Sequence, residues 1–211
     1  MWVTISYSRG HHPYSLQLQK RFTEAGVTAA VLEKGIDGEQ ARRMLMRLPT
    51  QLSLLADVKY VVILGGTNDL PRAKDRTGAA ILRHVVRLHQ IVQHEARSRR
   101  TQIYTVAVGV PEIRGWGNGL EEERQALNRG LQDYAAHCGE SVVYVDWEAA
   151  FSQKEEGNLP LWSSDLVHFS ERGYDRIGDI MYDTMKAFVE AKGEAGGGAG
   201  GGEICTYKGP G

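Results

Sequence analysis

The sequence predicts one α/β domain, a three-layer sandwich in which helices cover both faces of a parallel sheet of about five strands. Three observations predict it. Apolar runs of strand length alternate along the chain with stretches whose apolar residues recur at helical spacing. The run at 58–64 is continuously apolar rather than alternating, as befits a strand buried on both faces of a parallel sheet. With 211 residues and 42% hydrophobic content, the chain can bury the core of one ordinary domain.

Each element follows in order. Residues 3–6 make a short strand. A helix over 13–25 presents Leu16, Leu18 and Phe22 as its buried side, and Gly26 ends it because glycine tolerates left-handed geometry. Residues 27–32 form the next strand. A loop with Gly35 and Gly38 leads into a helix from about residue 39, carrying Met44, Leu45, Leu48 and Leu52. The strand 58–64 comes next. A long helix over 77–97 follows, with Ile81, Val85, Leu88, Ile91 and Val92 at helical spacing.

A fourth strand at 103–108 is stopped by Pro111, a helix spans 121–137, and a fifth strand covers 141–146. The last helix runs over 170–191, with Ser170 and Glu171 suited to cap its start. After Lys192 the composition turns glycine-rich. Such a segment buries too little surface to offset the entropy of ordering it. The domain is therefore expected over 1–192, with 193–211 a disordered tail.

Composition excludes several classes. A formal charge of −1 gives no electrostatic reason to expect a nucleic-acid partner. The cluster Arg97-Ser98-Arg99-Arg100 suits a solvated helix end. No apolar run approaches the roughly 18 residues of a membrane span, and no signal-peptide pattern is visible. The expectation is a soluble cytoplasmic protein. Cys138 and Cys205 lack metal-ligand spacing and read as a reduced, incidental pair, with Cys205 in the unordered tail. His11 and His12 read as loop residues.

Two segments carry chemistry. In open parallel sheets ligands bind beyond the C-terminal ends of the strands. Gly65-Gly66-Thr67-Asn68-Asp69 follows the buried strand and belongs there. The Asn68 amide is a suitable neutral donor to an oxyanion, although the same residues also make an ordinary turn. Before the last helix, Ser164-Asp165-Leu166-Val167-His168-Phe169 sets an acid three residues ahead of a histidine. Asp165 can fix the tautomer and orientation of His168, as a catalytic base requires. A helix-capping surface loop is the plainer alternative.

From about residue 10 to 189 the chain resembles the SGNH (GDSL-type) esterases and acylhydrolases. Gly35-Ile36-Asp37-Gly38-Glu39, with Arg47-Leu48-Pro49 and Leu52 beyond, resembles the family's second block. Gly66-Thr67-Asn68-Asp69 resembles its G-x-N-D block, and Ser164 to Phe169 with Gly173-Tyr174 its last. The resemblance implies a flavodoxin-like sheet and a small-molecule ester substrate, whether of a lipid, a sugar or a small alcohol. It implies Asp165 and His168 as acid and base, Gly38 N–H and Asn68 as oxyanion donors, and neither metal nor cofactor. A nucleotide- or flavin-binding module fits less well, since no glycine-rich phosphate loop follows the first strand.

The family's first block, Gly-Asp-Ser, is missing. The run His12-Pro13-Tyr14-Ser15-Leu16-Gln17-Leu18-Gln19 resembles the segment that members carry shortly after the nucleophile. In that register the block falls at or before Met1-Trp2, where there is no serine. In a second register, residues 2–5 take the place of the first strand and Ser6 or Ser8 emerges at its end, although both also read as polar loop residues. The implied activity is a serine ester hydrolase impaired by the absent block. The alternative is a non-catalytic pseudoenzyme, or a truncated isoform that keeps a binding crevice. Trp116, Trp162 and Phe169 are candidate crevice-lining aromatics.

Overall fold

Strand and helix alternate from β1 (Trp2–Ile5) through α1 (Tyr14–Glu24), β2 (Val31–Glu33), α2 (Ala41–Ser53) and β3 (Tyr60–Ile63). The short α3 (Asp69–Arg72), the long α4 (Gly78–Ser98), β4 (Tyr104–Val108), α5 (Asn118–His137) and β5 (Val142–Val145) follow. Then come α6 (Glu148–Phe151), a 3-10 turn (Glu156–Leu161) and α7 (Glu171–Glu194). The structure is a computed structural model that describes residues 2–5, 12–72, 77–112, 117–139, 141–146, 148–194, 205 and 207. Ser6, Ser8, His11 and Trp116 lie outside the described residues.

The strands form one parallel sheet in the order β2-β1-β3-β4-β5, so the expected three-layer α/β architecture is present. Val3 lies opposite both Leu32 and Val61, which puts β1 inside the sheet. The chain leaves β1 toward β2 and returns to β3 on its other side. Between β1 and β3 the winding reverses, and such switch points open a crevice at the C-terminal edge.

The four residues of β3 are all buried because helices cover both faces. Side chains alternate across a strand, so Val61 and Ile63 enter the cluster made with α2, α4 and α5. Tyr60 and Val62 enter the opposite cluster, made with α1 and α7. Helix α4 supplies the stripe Ile81, Val85, Leu88 and Val92, and the Thr77 hydroxyl caps it by accepting the Ala80 N–H at 3.2 Å.

Three expectations are corrected. Leu16 is 52% exposed, and α1 buries Tyr14, Ser15, Leu18 and Phe22 instead. Tyr14, Leu18 and Phe22 share one face, while a residue two positions away points about 200° round the helix. The strand expected over 27–32 is confined to Val31–Glu33. Ahead of it the Gln19 side chain binds the backbone, donating to Ala29 O and accepting from Val31 N, both at 2.9 Å.

The cysteines are not a reduced pair. Cys138 and Cys205 are joined in a disulfide with Cα atoms 5.4 Å apart. Cys205 and Tyr207 pack onto the core at α5, where the Tyr207 ring lies 5.5 Å from that of Tyr134. Composition alone misses this, because two cysteines 67 residues apart carry no signal of their pairing. Among the described residues no helix is long and apolar enough to cross a membrane.

Candidate functional site

A cleft of about 150 Å³ opens at the C-terminal edge of the sheet. The loop from β2 to α2, the turn after β3, Pro111 beyond β4 and the loop ahead of α7 border it. Gly38, Asn68 and His168, which lie far apart in sequence, all line it.

The His168 side is built around Asp165. One carboxylate oxygen lies 2.7 Å from His168 Nδ1. The other accepts from the backbone N–H of His168 at 3.0 Å, the Ser163 hydroxyl at 2.5 Å and the Val167 N–H at 3.0 Å. These donors, the His168 N–H foremost, hold the carboxyl far below the usual carboxylate range. An ionised carboxylate only accepts, so Nδ1 carries a proton, and in the neutral ring this leaves Nε2 as the acceptor.

The loop holding this pair is constrained from several sides. Leu166 takes φ 52°, a left-handed conformation uncommon outside glycine. Its N–H donates to Ser163 O at 3.0 Å, and its carbonyl accepts from Nε2 of the buried Gln153 at 3.0 Å. Trp162 and Phe169 form a bridge with ring centroids 4.4 Å apart, and the Trp162 indole donates to Phe151 O at 3.1 Å. Phe169 lines the cleft, whereas Trp162 is buried behind it and packs rather than contacts a ligand.

The opposite wall starts from Gly66, whose φ of 109° only glycine adopts readily. Its carbonyl accepts from Asp69 N at 3.0 Å and Leu70 N at 3.1 Å, which starts α3. Asp69 is buried, and its carboxylate accepts the Ala41 N–H at 2.9 Å at the first turn of α2. Burial raises the Asp69 pKa, partly offset by that bond. The contact ties the G-x-N-D turn to the segment bearing Gly38, itself at φ 70°.

Asn68 donates through Nδ2 to Glu39 O at 3.3 Å, and its Oδ1 accepts from Arg72 Nη1 at 2.5 Å. Glu39 in turn is gripped by Arg47 through Nε to Oε1 at 2.8 Å and Nη2 to Oε2 at 2.6 Å. Gly38, the Asn68 amide and the imidazole held by Asp165 thus border one cleft.

The structure therefore brings Gly38, Asn68 and His168 together, with Asp165 behind the histidine. Residue patterns alone gave no role to the Arg47–Glu39 wall, to Gln153 or to Arg72. Arg72 carried a usable signal, since it stands four residues beyond Asn68 and one helical turn brings such pairs together. His12, read as a loop residue, pairs through Nε2 with Asp175 Oδ1 at 2.7 Å. The pair ties the segment just ahead of α1 to α7, next to the cleft-lining Tyr174. Among the described residues no group of three or more His, Cys, Asp and Glu side chains is placed to hold a metal ion.

The model of the GDSL-like lipase/acylhydrolase family matches residues 2–176. The chain belongs to this family. No curated protein matches it. Among solved structures, TesA shares 19% identity with a TM-score of 0.68, covering 89% of this chain and 99% of its own. Est24, a carbohydrate acetylesterase from Sinorhizobium meliloti, shares 16% identity with a TM-score of 0.69, covering 88% and 98%. The psychrotrophic esterase EstA from Pseudoalteromonas sp., inhibited by monoethylphosphonate, shares 15% identity with a TM-score of 0.63, covering 90% and 98%. At these identities the likeness is one of fold. No Gly-Asp-Ser occurs among the 211 residues of this GDSL-like chain.

Proposed function

We propose that this GDSL-like chain acts on small-molecule carboxylic esters in the cleft, as a serine ester hydrolase of reduced turnover. One observation carries the reading: Gly38, Asn68 and His168 line a single cleft, with Asp165 holding Nδ1 of the histidine. An acyl carbonyl seated there has its developing negative charge met by the Gly38 N–H and Asn68 Nδ2. His168 Nε2 takes the proton of the attacking hydroxyl and returns it to the leaving alcohol. Water, activated the same way, then releases the acid. Ester hydrolysis by structures of this fold, a carbohydrate acetylesterase among them, supports the substrate class.

The residues near the first strand support the reduced turnover. Ser6 and Ser8 are the serines nearest the end of β1, and neither follows Gly-Asp. Loss of a serine nucleophile typically lowers turnover by on the order of a million-fold. The missing block favours a second reading, in which the cleft binds esters without turning them over.

A fluorophosphonate probe followed by peptide mass mapping separates the two. Labelling of Ser6 or Ser8 that disappears in His168→Ala supports the hydrolase. A wholly unlabelled chain that still binds a short-chain ester supports the binding crevice and removes the serine mechanism.

A further inference from the structure

We propose that Arg72 is a positioning residue for the oxyanion site, fixing which way the Asn68 amide faces and strengthening it as a donor. This rests on the proposed reading of the cleft, in that the Asn68 amide is taken to meet an oxyanion there.

A side-chain amide can sit with its oxygen and nitrogen exchanged, and only its partners decide between the two. Arg72, the last residue of α3, places Nη1 2.5 Å from Asn68 Oδ1. A guanidinium has donors and no acceptor, so the atom facing it must be the oxygen. Nδ2 is then turned the other way, where Glu39 O accepts at 3.3 Å. The amide nitrogen has two hydrogens, and one long bond to a carbonyl leaves the second for a ligand.

The contact also acts on the strength of the donor. A cation bound to the amide oxygen draws electron density from the carbonyl and polarises the N–H groups across the conjugated amide. The same guanidinium lies near the other oxyanion donor: a Cβ built on Gly38 would stand 3.6 Å from Arg72 Nη1. One positive charge therefore neighbours both donors. The nearby Glu39 carboxylate does not oppose it, because Arg47 engages both of its oxygens.

Arg72 is exposed, so its replacement leaves the core intact. The test uses the full chain, with Arg72→Met removing charge and donors and Arg72→Lys keeping one charged donor. The first readout needs no turnover. In the ¹⁵N–¹H spectrum the Asn68 side-chain amide is assigned by its loss in Asn68→Ala. Its proton resonances should move upfield in Arg72→Met and recover most of the shift in Arg72→Lys. A resonance that stays in place in Arg72→Met overturns the proposal.

The second readout is short-chain ester hydrolysis. Arg72→Met should lower kcat about tenfold with KM changed by no more than about twofold. In an Asn68→Ala background the same change should cost little more, because both act through one donor. Full additivity, or a loss confined to KM, contradicts it. If wild-type turnover is absent while the resonance moves as described, the ester reading fails and only the orienting of the Asn68 amide by Arg72 stands. If esters turn over and the resonance is unmoved, Arg72 alone is wrong.

Discussion

The Asp165 carboxylate holds His168 Nδ1 at 2.7 Å with one oxygen and gathers three further donors on the other. It therefore orients the ring and is itself immobilised by the loop it closes. Asp165→Asn keeps an acceptor for those donors but puts either a neutral acceptor or an NH₂ group against Nδ1, and so no longer enforces the Nδ1–H tautomer. The expected outcome is a fall in kcat toward the His168→Ala level with a short-chain ester, with little change in melting temperature. Steady-state kinetics beside thermal unfolding of the variant checks it.

Asp69 plays a different part. Its buried carboxylate receives the Ala41 N–H at 2.9 Å and joins the two segments that carry Asn68 and Gly38. Asp69→Ala strands that donor and should destabilise the fold by about 1–3 kcal/mol. Urea unfolding measures the loss. An unchanged midpoint would show that the tie contributes nothing.

Acid sensitivity should come from the core rather than the cleft. His89 is fully buried against the Tyr134 ring, with centroids 5.3 Å apart, and neither ring nitrogen has a hydrogen-bond partner among the described residues. Burial lowers its pKa from 6.5 to about 3. The unfolded chain then binds a proton that the folded chain refuses. Stability should be unaffected by this group above its unfolded pKa and fall as pH drops through that window, by about 1.4 kcal/mol per pH unit. Replacing His89 with leucine should flatten the slope of urea midpoints between roughly pH 6 and pH 4.

The Cys138–Cys205 bond closes a span of 67 residues. A chain-entropy estimate puts its stabilisation at about 4 kcal/mol. Reduction, or Cys205→Ser, should lower the melting temperature. Cys138 ends α5 just ahead of β5, at the edge of the sheet opposite the cleft, so ester handling at moderate temperature should be preserved. Melting curves with and without reductant, paired with an activity assay, test both halves.

Much of this architecture is legible in the residues. The alternation of apolar runs with helical stripes places four of the five strands closely and starts the second four residues too early, because burial on two faces leaves a pattern in composition. The motif glycines place the turns, since Gly26, Gly38 and Gly66 all take positive φ. Legibility ends where a relationship depends on distance through space. Nothing around Cys205 signals Cys138, and nothing around Gln153 signals Leu166. Strand 31–33 is overextended by sequence pattern because a glutamine twelve residues earlier, Gln19, takes the backbone N–H of Val31. The site itself is legible as separate blocks, and their convergence on one cleft is what the fold adds.

Hydrolysis of p-nitrophenyl butyrate by the full chain, beside His168→Ala and Asn68→Ala, tests the central claim most directly. The arrangement of Asp165, His168, Gly38 and Asn68 predicts slow, saturable turnover that falls to the buffer rate in His168→Ala and drops by about 10²-fold or more in Asn68→Ala. Turnover that survives His168→Ala, or a wild-type chain with none, would contradict it.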